Sequence, residues 1–260
     1  MAPVKESERL GFNTWRDFQE FEKEVKLENR FIHSPLVSEF LANIKRTLPA
    51  RKRWLANKSI LYRAQIGYDE NEVEGEPQIS GYSPGRMKPI SRRGKEGRGN
   101  PKGISYLYLS NDENTALAEL RPHLGQYLSS AQFAVQRDLY VVDCYSVPRH
   151  YSHVECIFNP PVSQEEISNS VWSMINNAFT KPVTNADDAS DYVPTQILAE
   201  FFKSEGFDGI CFKSSMGIGH NFILFNLSDA EVVNCTVMET KAVNFAFSEC
   251  ANRYYVQKKP

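Results

Sequence analysis

The spacing of apolar residues changes near residue 55, and that change limits the folds open to the chain. Before it, apolar side chains recur every three or four positions. Trp15, Phe18, Phe21 and Val25 make one stripe behind Thr14, and Leu36, Val37, Phe40, Leu41, Ile44 and Leu48 make a second behind Ser34 and Pro35. Threonine and serine side chains accept bonds from free backbone donors, and Pro35 suits the first helical position, so a helical hairpin closed by Pro49 is predicted. After residue 55 the apolar runs shorten and lie between turns. Strands are predicted at Ser59 to Gln65, Ser105 to Leu109, Gln132 to Gln136 and Leu139 to Tyr145. Four more close the chain: Gly209 to Lys213, Asn221 to Asn226, Glu231 to Val237 and Val243 to Phe247.

Three helices interrupt the strands. Ser110 with Glu113, and Ser163 with Glu166, have the spacing at which a serine caps a helix while a glutamate reaches back to the serine's own backbone. The first pair opens a helix from Thr115 to Leu120, ended by Pro122; Leu117 and Leu120 are expected to face the core, with Ala116 and Glu119 on another side. The third helix runs from Pro194 to Glu205 and stops at Gly206. Strands and helices in this order predict a mixed α+β class. The predicted division is a helical extension over 1–55 joined by the basic link Arg51, Lys52 and Arg53, a main unit over 56–240, and a strand and tail over 241–260. A polar stretch from Gly67 to Gly103 carries Arg86, Arg92, Arg93, Lys95, Arg98 and Lys102, and reads as a long loop, either a binding lid or a disordered segment.

With 41% hydrophobic and 12% aromatic residues, 260 residues are enough for a substantial core. The 30 basic and 32 acidic residues leave a formal charge of -2, so there is no global positive field to hold nucleic acid. No apolar run has the length of a membrane span and the first sixteen residues do not resemble a signal peptide, so a cytoplasmic protein is expected. The five cysteines, without Cys-x-x-Cys spacing, read as small core residues. His150, His153 and Cys156 are spaced like neighbouring metal ligands but have no fourth ligand of similar quality nearby, so no metal is expected. Gly97, Gly99 and Gly103 lack the spacing and the following helix of a dinucleotide fingerprint. Any phosphate would have to be held by side-chain cations.

Three segments carry a more specific pattern: Leu61-Tyr62-Arg63-Ala64; Tyr106 to Ser110 with Thr115 to Glu119; and Phe207 to Ser215 with Asn221 to Phe225. In this order they resemble the RES domain family, named for an arginine, a glutamate and a serine. Arg98 to Gly103 and Tyr192 to Gln196 are similar to further family positions, and the resemblance spans about residues 58 to 230. It implies an ADP-ribosyltransferase-like fold of mixed sheets with flanking helices. It also implies an enzyme that cleaves the nicotinamide–ribose bond of NAD as glycohydrolase or phosphorylase, with NAD and inorganic phosphate as ligands and no resident cofactor. Relatives are commonly toxins paired with a helix-turn-helix antitoxin, while some modify a protein as mono-ADP-ribosyltransferases. The order Arg, Glu, Ser differs from the Arg, Ser, Glu order of arginine-modifying transferases.

The chemistry suits these residue types. Loss of neutral nicotinamide leaves positive charge on the ribose, and a carboxylate beside the anomeric carbon stabilises it. The resemblance gives that part to Glu119, which otherwise reads as a solvated helix glutamate. Arg63, on an apolar strand, either grips the pyrophosphate or pairs with a buried acid. Tyr108 stacks on nicotinamide or belongs to the core. Ser214 bonds a ribose or nicotinamide oxygen or holds Glu119, and its neighbour Ser215 competes for the part, with Asn221 also among the binding candidates. Arg98, Asn100 and Lys102 are candidates for the second phosphate or the adenosine, or else an exposed charged loop. A pocket without chemistry is the third functional class, against which the presence of Arg63, Glu119 and Ser214 together argues. The apolar faces of the hairpin require a partner surface, either the main unit or a second copy of the chain.

Overall fold

The computed structural model describes residues 11–147, 149, 151–181 and 189–249. Its elements in chain order are α1 (Asp17–Leu27), α2 (Pro35–Thr47), β1 (Lys52–Leu55), β2 (Ile60–Ile66), β3 (Asp69–Val73), β4 (Glu76–Ser80), α3 (Pro84–Met87), β5 (Leu107–Ser110) and α4 (Glu113–Ala118). They continue with β6 (Tyr127–Val135), β7 (Leu139–Asp143), α5 (His153–Phe158), α6 (Gln164–Thr180), α7 (Val193–Ser204), β8 (Gly209–Lys213), β9 (His220–Leu224) and β10 (Ala230–Glu239). The fold is mixed α+β, as the alternation of periods predicted.

Eight strands form one sheet in the order β1-β7-β8-β9-β5-β2-β6-β10, antiparallel except for the parallel pair β7 and β8. Its seams are unequal. β2 matches β6 over seven residue pairs, from Ile60 opposite Ala134 to Ile66 opposite Leu128, yet meets β5 at one pair only, Tyr62 opposite Ser110. One face is covered by α6 and α7, on which the hairpin of α1 and α2 is seated in turn, and Phe21, Ile44, Trp172, Ile175 and Phe202 are buried in this shared core. The other gathers Leu61, Phe133, Leu139, Val141, Phe222 and Leu224 from strands far apart in the order, so the sheet curls around a second core.

The hairpin forms as its stripes require: Phe18, Phe21 and Val25 of α1 and Val37, Phe40 and Ile44 of α2 are buried, whereas Leu36 is exposed. Phe21 stacks on Phe40 with ring centres 4.5 Å apart. Ser34 caps α2 by accepting from Val37 N. Ser34→Ala is expected to cost about 1 kcal/mol, read as a lower urea midpoint at unchanged slope. Thr14 does not cap α1: it donates to Asp17, whose carboxylate also accepts the backbone N–H groups of Asn13 and Thr14. The Asp17 carboxylate thus ties down the chain entering the helix, while Thr14 Oγ1 accepts only from Arg16 N, one residue before the first helical position.

Five other expectations are corrected. The basic link is not a linker, because Lys52 and Arg53 lie in β1, an edge strand against β7, and Arg51 donates to Ser146 O and stacks over Trp172. The stretch from Gly67 to Gly103 is largely ordered: β3 and β4 form a hairpin that turns at Glu74 and Gly75, both at positive φ, followed by α3 and a tight reversal that pairs Gly94 with Gly103 and Gly97 with Asn100. Strands as charged as Asp69–Val73 have no apolar alternation by which to be recognised. Ser110 and Glu113 form no capping box; Asp112 caps α4 through Thr115 N, while Glu113 accepts from Ser130 and Ser110 donates to His220 O. Val243 to Phe247 is not a strand, and its Phe245 and Phe247 are exposed and stacked on each other. On α4 it is Thr115 and Ala116 that are buried, with Leu117 and Leu120 only half-buried.

The second capping box does form: Ser163 and Glu166 bond reciprocally at the start of α6. Cys144, Cys156 and Cys211 are buried free thiols and Cys235 is half-buried; Cys250 lies outside the described residues. His153 packs edge-on against Trp15, and His150 lies outside the described residues. Among the described residues no three His, Cys, Asp or Glu side chains are grouped to hold a metal ion, and no helix is long and apolar enough to cross a membrane.

Candidate active site

Where β2 and β5 part, the curled sheet opens into a cleft of about 600 Å³. β2 supplies Tyr62, Arg63 and Ala64 to its wall, β5 supplies Tyr108 and Leu109, and α4 with the turn after it supplies Ala116, Glu119, Leu120 and Arg121. Arg63 bridges the gap between these strands. Its Nη1 donates to the carbonyl of Tyr108 at 3.0 Å, so a side chain takes up a backbone acceptor two positions from the bridged Ser110. Burial lowers the pKa of this guanidinium, but an arginine so placed remains charged. Its Nε is buried without a hydrogen-bond partner, and among the described residues Tyr108, not a carboxylate, is the group that acts on it electrostatically. The alternative of a buried ion pair is therefore not what forms. A buried cation with a donor left over is a ready grip for an anion.

Glu119 stands at the C-terminal end of α4, with its backbone N–H bonded to Thr115 O. One carboxylate oxygen, Oε1, accepts from Ser214 Oγ at 2.7 Å and from Asn221 Nδ2 at 2.6 Å. Two donors on one oxygen fix the side chain's rotamer and leave Oε2 for other contacts. The serine comes from the segment after β8 and the asparagine from β9, so three elements distant in sequence meet on one carboxylate. Their meeting depends on a close approach: a Cβ on Gly217 would lie 2.3 Å from Thr115 Oγ1, and Gly219 N donates to that same hydroxyl. Ser214 is buried and occupied with Glu119 and with Met216 N, whereas Ser215 is the serine on the cleft wall. The two serines thus divide the candidate roles, one orienting the acid and the other reaching the space a ligand would fill.

Tyr108 is bonded, not merely packed. Its hydroxyl donates to Asn100 Oδ1 at 2.7 Å and accepts from Gly99 N at 3.0 Å, and burial raises its pKa, so it stays protonated. The same loop rests on it closely, since a Cβ on Gly97 would come within 2.9 Å of the hydroxyl. Arg98 reaches the cleft wall, donates to Ala178 O at 2.9 Å, and lies over the ring of Tyr192. Asn100 does not line the cleft: its amide nitrogen serves Lys95 O, Pro101 O and Ile104 O while its oxygen takes the tyrosine proton. It shapes the loop. Lys102 is exposed and also off the wall. The structure therefore gathers Arg63, Tyr108, Glu119, Ser215, Asn221 and Arg98 around one space, with Ser214 behind Glu119.

Several wall residues escape the sequence reading. Phe179, Thr180 and Lys181 come from the end of α6, and Phe212 from β8. α6 reads as one amphipathic helix with nothing to mark its last turn as exposed to a ligand. Arg121 does leave a sign in the sequence, since a residue between the end of a helix and Pro122 must turn the chain, and it has φ 48°.

Among curated proteins none matches this sequence. Among solved structures the chain is similar to the M. tuberculosis MbcT–MbcA toxin–antitoxin complex, at 14% identity and a TM-score of 0.36, covering 74% of this chain and 90% of that one. It is also similar to an anti-CRISPR protein, at 11% identity and a TM-score of 0.27, covering 71% of this chain and 98% of that one. Both scores are too low for either likeness to bear on function. The family comparison is firmer: the model described as RES domain matches residues 77–248, a span that starts beyond Arg63 and includes Tyr108, Glu119 and Ser214. Since that span is more than half of the sequence, the chain belongs to the RES domain family.

Proposed function

We propose that the cleft binds NAD and breaks the bond between nicotinamide and ribose, passing the ADP-ribosyl group to water or to inorganic phosphate. The observation that carries this is the carboxylate of Glu119, held by Ser214 and Asn221 in the same cleft as the carboxylate-free guanidinium of Arg63. A fixed negative charge answers the cation that develops on ribose, and a fixed positive charge answers the pyrophosphate. Water or phosphate adds at the anomeric carbon as the C–N bond breaks, and nicotinamide leaves as a neutral base. Phe179 and Phe212 give the cleft an apolar wall suited to an aromatic ring. The cleft's volume of about 600 Å³ lies in the usual range for small-molecule sites, about 300–1,000 Å³. Membership of the family further supports a toxin whose partner is a helix-turn-helix antitoxin that covers the cleft.

The test is incubation of the purified chain with NAD, with and without phosphate, followed by mass identification of products. Free nicotinamide with ADP-ribose identifies hydrolysis, and a phosphorylated ADP-ribose identifies phosphorolysis. A mass gain on added protein would instead support the transferase reading, and intact NAD after prolonged incubation would rule out all three. Activity is expected to survive a chelator; restoration by zinc after its loss would contradict the metal-free mechanism. Ser214→Ala is expected to lower kcat about tenfold while KM holds, since one hydrogen bond to a charged group contributes about 1.5–3 kcal/mol and Asn221 remains in place.

A further inference from the structure

The N-terminal hairpin precedes the span that matches the RES domain, yet it is tied to one wall of the cleft by a traceable set of contacts. Lys26, at the end of α1, bonds Asp191 at 2.9 Å across 165 positions of sequence, with Glu22 one turn earlier on the same ammonium. Asp191 belongs to the 3-10 turn Ala189–Tyr192 that leads into α7. The next residue, Tyr192, offers its ring to the guanidinium of Arg98, whose carbon lies 5.4 Å from the ring centre. Its carbonyl accepts from Thr195 Oγ1, which locks the turn onto the first turn of the helix.

The loop that carries Arg98 is fastened from the same side. Gln196 on α7, itself buried, donates to Gly97 O at 3.0 Å and to Asn100 O at 3.2 Å. Arg98 then reaches Ala178 O on α6. α1 packs against both α6 and α7, so the two helices that hold the loop are themselves seated on the hairpin. Gly97 and Arg98 are the part of this assembly that faces the cleft.

We infer that the hairpin is a positioning element of the substrate site: through the Lys26–Asp191 pair, α1 fixes the turn under Tyr192 and thereby the placement of the Arg98 wall that receives the dinucleotide. The inference rests on the reading of the cleft as an NAD site, and it makes Lys26 a positioning residue that acts through Arg98. Its signature is affinity, since the wall would touch bound substrate while Glu119 is held by Ser214 and Asn221, outside this set of contacts. A purely structural role would lower activity only through loss of folded protein.

The experiment uses the full chain. Lys26→Glu, which places a third acid beside Glu22 and Asp191, is expected to raise the KM for NAD about fivefold with kcat within about twofold, and Lys26→Arg to restore it. In an Arg98→Ala background the same Lys26→Glu change should add less than about twofold, because the residue it acts through is gone. Amide hydrogen exchange supplies an arm that needs no substrate: exchange across residues 94–103 should quicken at least about threefold in Lys26→Glu while that of β6 stays unchanged. An unchanged KM, an equal effect in the Arg98→Ala background, or unchanged exchange in the loop would overturn the inference. A parent enzyme inert toward NAD would refute the functional reading instead, and the exchange arm alone would then decide the coupling.

Discussion

Glu119→Gln is expected to lower NAD turnover by about 10² or more while thermal unfolding stays where it was. The substitution is nearly isosteric, and a glutamine oxygen still accepts from Ser214 and Asn221, so the side chain keeps its place. What is lost is the negative charge, and that charge matters only as the glycosidic bond breaks. KM should therefore change little. Steady-state cleavage of NAD measures both constants, and a folded variant with the parent's kcat would reduce Glu119 to a well-bonded but idle acid. If expression of the parent slows growth of its host, the same substitution should abolish the effect.

Arg63→Ala is expected to act on the other constant, raising KM by about 10- to 100-fold, the equivalent of the roughly 1.5–3 kcal/mol carried by hydrogen bonds to a charged group. A phosphate is equally charged before and during bond cleavage, so the grip contributes alike to ground and transition states. The structure adds a complication that the sequence could not show. Arg63 also bonds the carbonyl of Tyr108, so its removal leaves an acceptor on β5 without that donor, and a modest fall in Tm should accompany the loss of affinity. Arg63→Lys separates the two parts. It keeps the charge yet cannot reproduce a planar fork, so it should recover only part of the affinity. An Arg63→Ala enzyme with unaltered KM would place the pyrophosphate elsewhere.

The candidate site was legible where a residue type and its chemistry coincide, and obscure where a residue acts through geometry. Arg63, Glu119 and the serine pair could be named because a buried cation, a carboxylate and adjacent hydroxyls in a family order point to one reaction. That Ser214 orients Glu119 while Ser215 faces the cleft depends on the path of the segment after β8, which two glycines pressed against Thr115 define only in three dimensions. Asn100 reads from sequence as a ligand candidate or part of an exposed loop, because an amide in a basic loop looks free until its four hydrogen bonds are traced. The same limits govern the fold. Periodicity reveals α1 and α2, whose apolar stripes run for several turns, and a capping box marks the start of α6, but nothing marks β3 and β4, which are exposed and charged, nor β1, which is too short and basic to register as a strand. Val243 to Phe247 shows the reverse, an apolar run that pairs with no strand among the described residues.

The single bridge between β2 and β5 has a mechanical meaning. Every other pair of neighbours in the eight-stranded sheet is joined by at least three matched residues, so this line has the least backbone stiffness across it. It divides the sheet into two plates, β1-β7-β8-β9-β5 and β2-β6-β10, with Arg63 on one and Tyr108, Ser214 and Asn221 on or beside the other. Anything bound in the cleft is then a strut between plates. It shares load with Tyr62, Ser110 and the Arg63–Tyr108 bond, and filling the cleft stiffens the whole sheet at its weakest line.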